Sequence, residues 1–181
     1  MILRVLLFVI FCVPAQASVD IEVCVDYHCD EVKNARLNDA FWQSLEGFFT
    51  GVQGAHDERV RVAEAIAFFE QVVGTQTGTS ADLAYNKRGA GMDGQLDCIA
   101  ESKNTTRYLH LMAQRGLLQW HEVAEREVRR PLLGLLTHWT AVVRERGTGN
   151  LYAIDSWPTD NGEPPLVQNL EAWRAEIGSF W

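Results

Sequence analysis

Cys98, His138 and Asp155 follow one another along the chain as thiol, imidazole and carboxylate. These are the three groups that a nucleophile, its base and the base's orienter require. Asp97 precedes Cys98, and the residues after it have a helical pattern, so the thiol is expected at the head of a helix. There, unpaired backbone N–H groups and the positive end of the helix dipole favour thiolate over thiol. The same N–H groups point where an oxyanion forms during acyl transfer. His138 is the expected general base, since imidazole changes charge near neutral pH. Asp155 would fix its tautomer and stabilise the imidazolium. The other histidines, His28, His56, His110 and His121, form no His-x-x-x-His pair, and no Cys-x-x-Cys occurs. No zinc site is therefore expected, no loop has calcium-ligand spacing, and no cofactor is called for.

The elements that must position these groups can be read from periodicity. Residues 21–25 alternate as a short strand. Leu37, Phe41, Leu45, Phe48 and Val52 mark one face of a helix, and Val62, Ile66, Phe69 and Val73 mark a second that Gly74 is expected to close. Residues 75–94 are rich in Gly, Thr, Asp and Asn and read as a long functional loop. The Cys98 helix is expected from about Asp97, capped by Asp93 or Asp97, to Arg115–Gly116. Cys98, Ser102, Thr105, Leu109 and Met112 form one stripe along it. Beyond Gly116 the pattern becomes strand-like at 118–123, 135–144 and 151–155, and a last short helix is expected at 167–177. Glu122, Glu125 and Glu127 beside Arg126, Arg129 and Arg130 read as a solvated charged face. Trp173, Phe180 and Trp181 read as core packing or tail docking. Helices first and antiparallel strands later imply an α+β fold.

Strands 135–144 and 151–155 are joined by Gly147-Thr148-Gly149-Asn150 and form a hairpin. A turn centred between Thr148 and Gly149 leaves His138 four residues out of register with Asp155. A turn centred near 146–147 pairs them directly. The sequence leaves both open.

Asp97-Cys98, His138-Trp139 and Asp155-Ser156-Trp157, in the order Cys, His, Asp, resemble the transglutaminase-like branch of the papain-like superfamily, which includes bacterial periplasmic transglutaminase-like cysteine proteases. The resemblance covers roughly residues 94–157. It implies a Cys-bearing helix packed on a small antiparallel sheet, with Cys98 as nucleophile, His138 as base and then acid, and Asp155 as orienter. Trp157 would shield the His–Asp pair. A residue upstream of the nucleophile would help build the oxyanion hole, for which Gln95, Tyr85 and Asn86 are candidates. The chain departs from the family after the nucleophile, where Glu101-Ser102-Lys103-Asn104-Thr105-Thr106 replaces a small apolar face. The activity implied is cleavage of an amide or peptide bond through a thioacyl-enzyme. The alternatives are transamidation with an amine acceptor, or a non-catalytic binding or assembly module.

Residues 1–17, MILRVLLFVIFCVPAQA, have the layout of a signal peptide: a basic residue, an apolar run, then Ala15-Gln16-Ala17. Cleavage before Ser18 would leave one domain, 18–181, with a helical part to about 94 and a catalytic core beyond it. A lipoprotein reading with Cys12 as the lipidated residue is disfavoured by Phe11, where a small residue is needed. Export to a periplasmic or extracellular space makes Cys24 and Cys29 the natural disulfide and leaves Cys98 as the odd thiol. The 181 residues carry 16 basic and 24 acidic side chains, a net charge of −8. That balance argues against nucleic-acid coating and against docking on anionic lipid. The mature chain has no expected membrane span, and its expected partner is a protein or peptide substrate.

Overall fold

The computed structural model describes residues 18–130 and 137–176. The expected signal segment and the Phe180–Trp181 tail lie outside them. The protein is α+β. It begins with an antiparallel hairpin of β1 (Val19–Cys24) and β2 (Val32–Leu37), in register from Val19↔Leu37 to Cys24↔Val32. Strand β2 lacks a clean alternation of its own and had no sequence signal. It exists because β1 offers it a full ladder. The turn between the strands holds the Cys24–Cys29 disulfide, with His28 and Cys29 both at positive φ.

Three helices follow: α1 (Asp39–Phe48), α2 (Ala55–Thr77) and α3 (Cys98–Gln114). Helix α2 does not stop at Gly74 as expected. It runs to Thr77 and ends on left-handed Gly78. Gly74 answers a packing demand instead, since a Cβ there would lie 2.9 Å from Ser80 Oγ and 3.0 Å from its backbone N. The core joins Val23 and Leu37 of the hairpin, Phe41 and Trp42 of α1, Ile66 and Phe69 of α2 and Leu109 and Met112 of α3. Phe69 stacks on Tyr108 with ring centroids 4.6 Å apart.

The second sheet is an antiparallel meander of β3 (His121–Arg129), β4 (His138–Glu145), β5 (Leu151–Asp155) and β6 (Leu166–Asn169). A short helix α4 (Leu170–Ala175) closes the described chain. The expected helix at 167–177 therefore starts late. Residues 166–169 pair with β5 as an edge strand, and Asn169 caps the helix after it. Side chains alternate across the sheet. Ala141, Val143 and Ile154 join the main core under α2 and α3, whereas Val142 and Ala153 pack on Leu170 and Trp173 of α4.

Between Ala124↔Val142 and Glu127↔Thr140 the pairing slips by one residue, a β-bulge in β3. The bulge reverses which face each later residue of β3 presents. Arg129 and Glu127 turn towards α4, and Arg126 turns towards α3. This corrects the reading of the Glu122–Arg130 stretch as one solvated face. Arg129 is buried, donating to the Trp173 carbonyl and pairing with Glu176 at 3.3 Å.

Candidate active site

Cys98 is the first residue of α3, and Asp97 is its N-cap, accepting the Ala100 N–H at 2.9 Å. Of the two expected caps it is Asp97, because the loop before it is held in place from several sides. His28 donates its backbone N–H to Asp97 Oδ1 at 3.1 Å, and its ring lies 2.9 Å from Oδ2. Gly94, at φ +74°, lets the chain pass so close to Gly78 that a Cβ would fall 2.3 Å from the Gly78 carbonyl oxygen. The disulfide loop is clamped onto α3 as well. Asn104 accepts the Cys24 N–H at 2.8 Å and donates to the Cys24 carbonyl at 3.0 Å.

His138 and Asp155 meet, with Nε2 and Oδ2 2.6 Å apart. The β4–β5 register runs Ala141↔Ile154, Val142↔Ala153, so the turn lies between the two alternatives considered above. One step further along, Asp155 faces Thr140, and His138 is its diagonal neighbour on the same face. A diagonal pair is within reach of an imidazole. The same Asp155 oxygen accepts the indole N–H of Trp173 at 2.8 Å. The His138 ring lies between Trp157, 5.0 Å away, and Trp173, 5.6 Å away. The carboxylate engages Nε2.

The Cys98 sulfur receives the backbone N–H of Trp139, the residue after His138. That contact brings the head of α3 to the start of β4. Cys98 is half-buried. Burial pushes its thiol up to about 11, with Asp97 and Asp155 adding to the rise, against the pull of the Trp139 and Cys98 N–H groups. This reverses the expectation of a thiol acidified by the helix terminus: loss of water at the sulfur outweighs the dipole. A resting thiol of this kind needs a base beside it to become a nucleophile.

Trp157 and Tyr85 come to the site together. Tyr85 holds a left-handed backbone at φ +54°, donates its N–H to the Trp157 carbonyl at 3.0 Å, and meets the Trp157 ring edge-on at 5.6 Å. Gln95 and Asn86 are placed differently. Gln95 donates to the Ala81 carbonyl and accepts from Asn86 at 2.8 Å, so both side chains brace the loop ahead of Cys98.

Most of the polar turn after Cys98 is buried and engaged: Glu101, Ser102, Asn104 and Thr105 are buried. Ser102 accepts from Arg126 at 3.0 Å, and Thr105 and Ser156 hydroxyls lie 2.9 Å apart. Glu101 donates to Asp82, which in turn accepts the Leu96 N–H at 2.9 Å. Glu70 of α2 accepts from Ser156 and, at 3.0 Å, from the Gly162 N–H. Burial drives all three acids upward: Glu70 to about 7, Asp82 to about 6, Glu101 well above its ordinary range. They form a proton-holding layer that ties α2, α3, the 78–97 loop and the segment carrying Asp155 to one another.

Sequence reasoning missed Trp173 as a ligand of Asp155, and Arg126 beside the thiol. Trp173 is fully buried core, as expected, but its indole N–H also points at the site. No pattern separates a packing Trp from one that donates to a carboxylate 18 residues away. Among the described residues, no group of three or more His, Cys, Asp or Glu side chains is placed to hold a metal ion. No described helix is long and apolar enough to cross a membrane. Compared with protein-family models, curated proteins and solved structures, the chain finds no match.

Proposed function

We propose that this protein is a thiol hydrolase that cleaves an amide or peptide bond by acyl transfer through Cys98, and that it belongs to the transglutaminase-like superfamily. The observation that carries this reading is that the backbone N–H of Trp139 reaches the Cys98 sulfur, one residue on from a His138 that Asp155 already holds at 2.6 Å. The sulfur attacks the substrate carbonyl carbon as its proton passes to His138 Nδ1. The carbonyl oxygen takes the negative charge beside the N–H groups at the head of α3. The C–N bond then breaks, the amine leaves with the proton from His138, and a thioester remains on Cys98. Water attacks that ester, His138 takes and returns a proton, and acid product and free thiol are released. Asp155 holds the imidazolium, while Trp157 and Trp173 keep water from the pair. The Cys24–Cys29 bond supports placing the protein in an oxidising compartment after export.

One observation favours a second reading, a non-catalytic binding module: the thiol held up at about 11. Incubation with a peptide library, followed by mass spectrometry of products, separates the two. Cleavage lost in Cys98→Ala supports the hydrolase. Cross-linked product on adding a primary amine makes it a transamidase. No turnover, with Cys98 inert to thiol-directed electrophiles, leaves the binding module.

A further inference from the structure

The surface next to the thiol contradicts the protein's overall charge. A cleft of about 400 Å³ is lined by Lys103, Arg107 and His110 of α3 and Arg126 of β3, with the Cys24–Cys29 disulfide in its wall. No acidic side chain lines it, in a chain with 24 acids and 16 bases. Elsewhere several arginines are matched: Arg36 with Asp20, Arg61 with Glu64, Arg146 with Glu122, Arg174 with Glu171. Lys103, Arg107 and Arg126 form no ion pair within 4.0 Å of a carboxylate among the described residues, and the acid that acts on Arg126 is its chain neighbour Glu125, outside the cleft. Lys103 donates to the His28 carbonyl at 3.1 Å, and Arg126 to Ser102.

Positions 103, 107 and 110 share one face of α3 and span about 10 Å of its axis. Like charges four apart on a helix repel, so an uncompensated row of this kind is relieved by an anion. Arg126 connects the row to the reaction centre. The β3 bulge sends it to the α3 side, where its guanidinium lies 4.9 Å above the ring of Trp139, whose N–H holds the Cys98 sulfur. Its other contacts are Ser102 and the Ile99 carbonyl, within the first turns after Cys98.

We propose that this cleft is a substrate subsite for the carboxylate-bearing stretch of an acidic peptide, running from Arg126 beside the thiol to His110. The inference rests on the acyl-transfer reading for its choice of a peptide as the anion's source. The basic face itself stands on geometry alone. An acidic substrate is compatible with the net charge because recognition depends on the local field, and a cleft with low-dielectric walls focuses it.

The test uses the oxidised chain, a fluorescein-labelled octapeptide rich in Glu and Asp, and its Gln/Asn counterpart. Anisotropy reads binding, and the rate of Cys98 alkylation by iodoacetamide reads protection of the thiol. The expected result is binding of the acidic peptide only, weakening steeply with salt, and at least tenfold weaker in Lys103→Glu/Arg107→Glu. Bound acidic peptide slows alkylation in the wild type and not in that variant. Both residues are at least partly exposed, and circular dichroism verifies that the variant folds. Equal binding of the two peptides, unchanged binding by the variant, or binding confined to inorganic phosphate or phosphatidylserine vesicles each overturns the subsite. Failure of the acyl-transfer reading looks different: acidic peptide binds and protects as described, yet alkylation without peptide is independent of His138.

Discussion

Replacing His138 with Gln isolates the base from the rest of the site, because an amide still offers Asp155 a polar partner. A thiol held at about 11 is ionised in only about one molecule in 10⁴ at pH 7, since each unit below the pKa lowers the thiolate tenfold. Iodoacetamide reacts with the thiolate and carries no charge of its own. Without a base, the alkylation rate of Cys98 should therefore climb about tenfold per pH unit from neutrality to about pH 11. With His138 anchored by Asp155, general-base catalysis would take the proton from sulfur to Nδ1 as the electrophile is attacked, so reaction would not depend on free thiolate alone. The wild type should then rise less steeply with pH and react about 10²-fold faster than His138→Gln at pH 7. The two curves should converge in strong alkali. The assay is intact-protein mass against time, under native conditions, with Cys98→Ala as the blank. Superimposed curves, both rising tenfold per pH unit, would mean that the imidazole takes no proton from the sulfur, and the catalytic argument would fail.

Stability should fall as pH rises through the neutral range. Glu70 and Asp82 titrate at about 7 and about 6 in the fold, against ordinary values of 4.5 and 3.8. The native state therefore binds more protons than the unfolded chain from about pH 4 to about pH 7, and loses on the order of 6 kcal/mol across that window. The melting temperature should be higher at pH 5 than at pH 8, and Glu70→Gln should flatten the difference; a rising trend would contradict the buried acid layer. Glu58→Ala should destabilise by about 3 kcal/mol in urea titration, because this fully buried carboxylate accepts the N–H groups of Gln119, Trp120 and His121 and meets His121 Nδ1 at 2.8 Å. Trp173→Phe keeps an aromatic ring but removes the donor to Asp155 and leaves part of the indole's space empty; it should cost about 2 kcal/mol of stability and slow Cys98 alkylation at neutral pH, while wild-type reactivity would remove Trp173 from the site. Reducing the Cys24–Cys29 bond reopens a loop spanning a sequence separation of 5, worth about 2 kcal/mol on loop entropy, visible as a lower urea midpoint in dithiothreitol.

The sequence alone set the α+β class, a helix starting near Asp97 with Cys98 at its head, the two strands bearing His138 and Asp155, and the Cys24–Cys29 pair, while the choice of Asp97 over Asp93 as the cap came from the fold. Each follows from local rules: a cap followed by helical periodicity, a turn cluster between β-rich runs, and two cysteines close in an exported chain. Hairpin register was beyond those rules. A shift of the turn by one position moves the pairing by two residues, and the bonds that fix the register lie across the sheet. The β3 bulge, Trp173 donating to Asp155, and the polar turn after Cys98 finding partners on four other segments were equally hidden, since each depends on what a distant element brings alongside. The thiol's proton affinity inverted the sequence expectation for the same physical reason. The helix dipole is a property of the local chain, but the water removed from Cys98 is a property of everything packed around it.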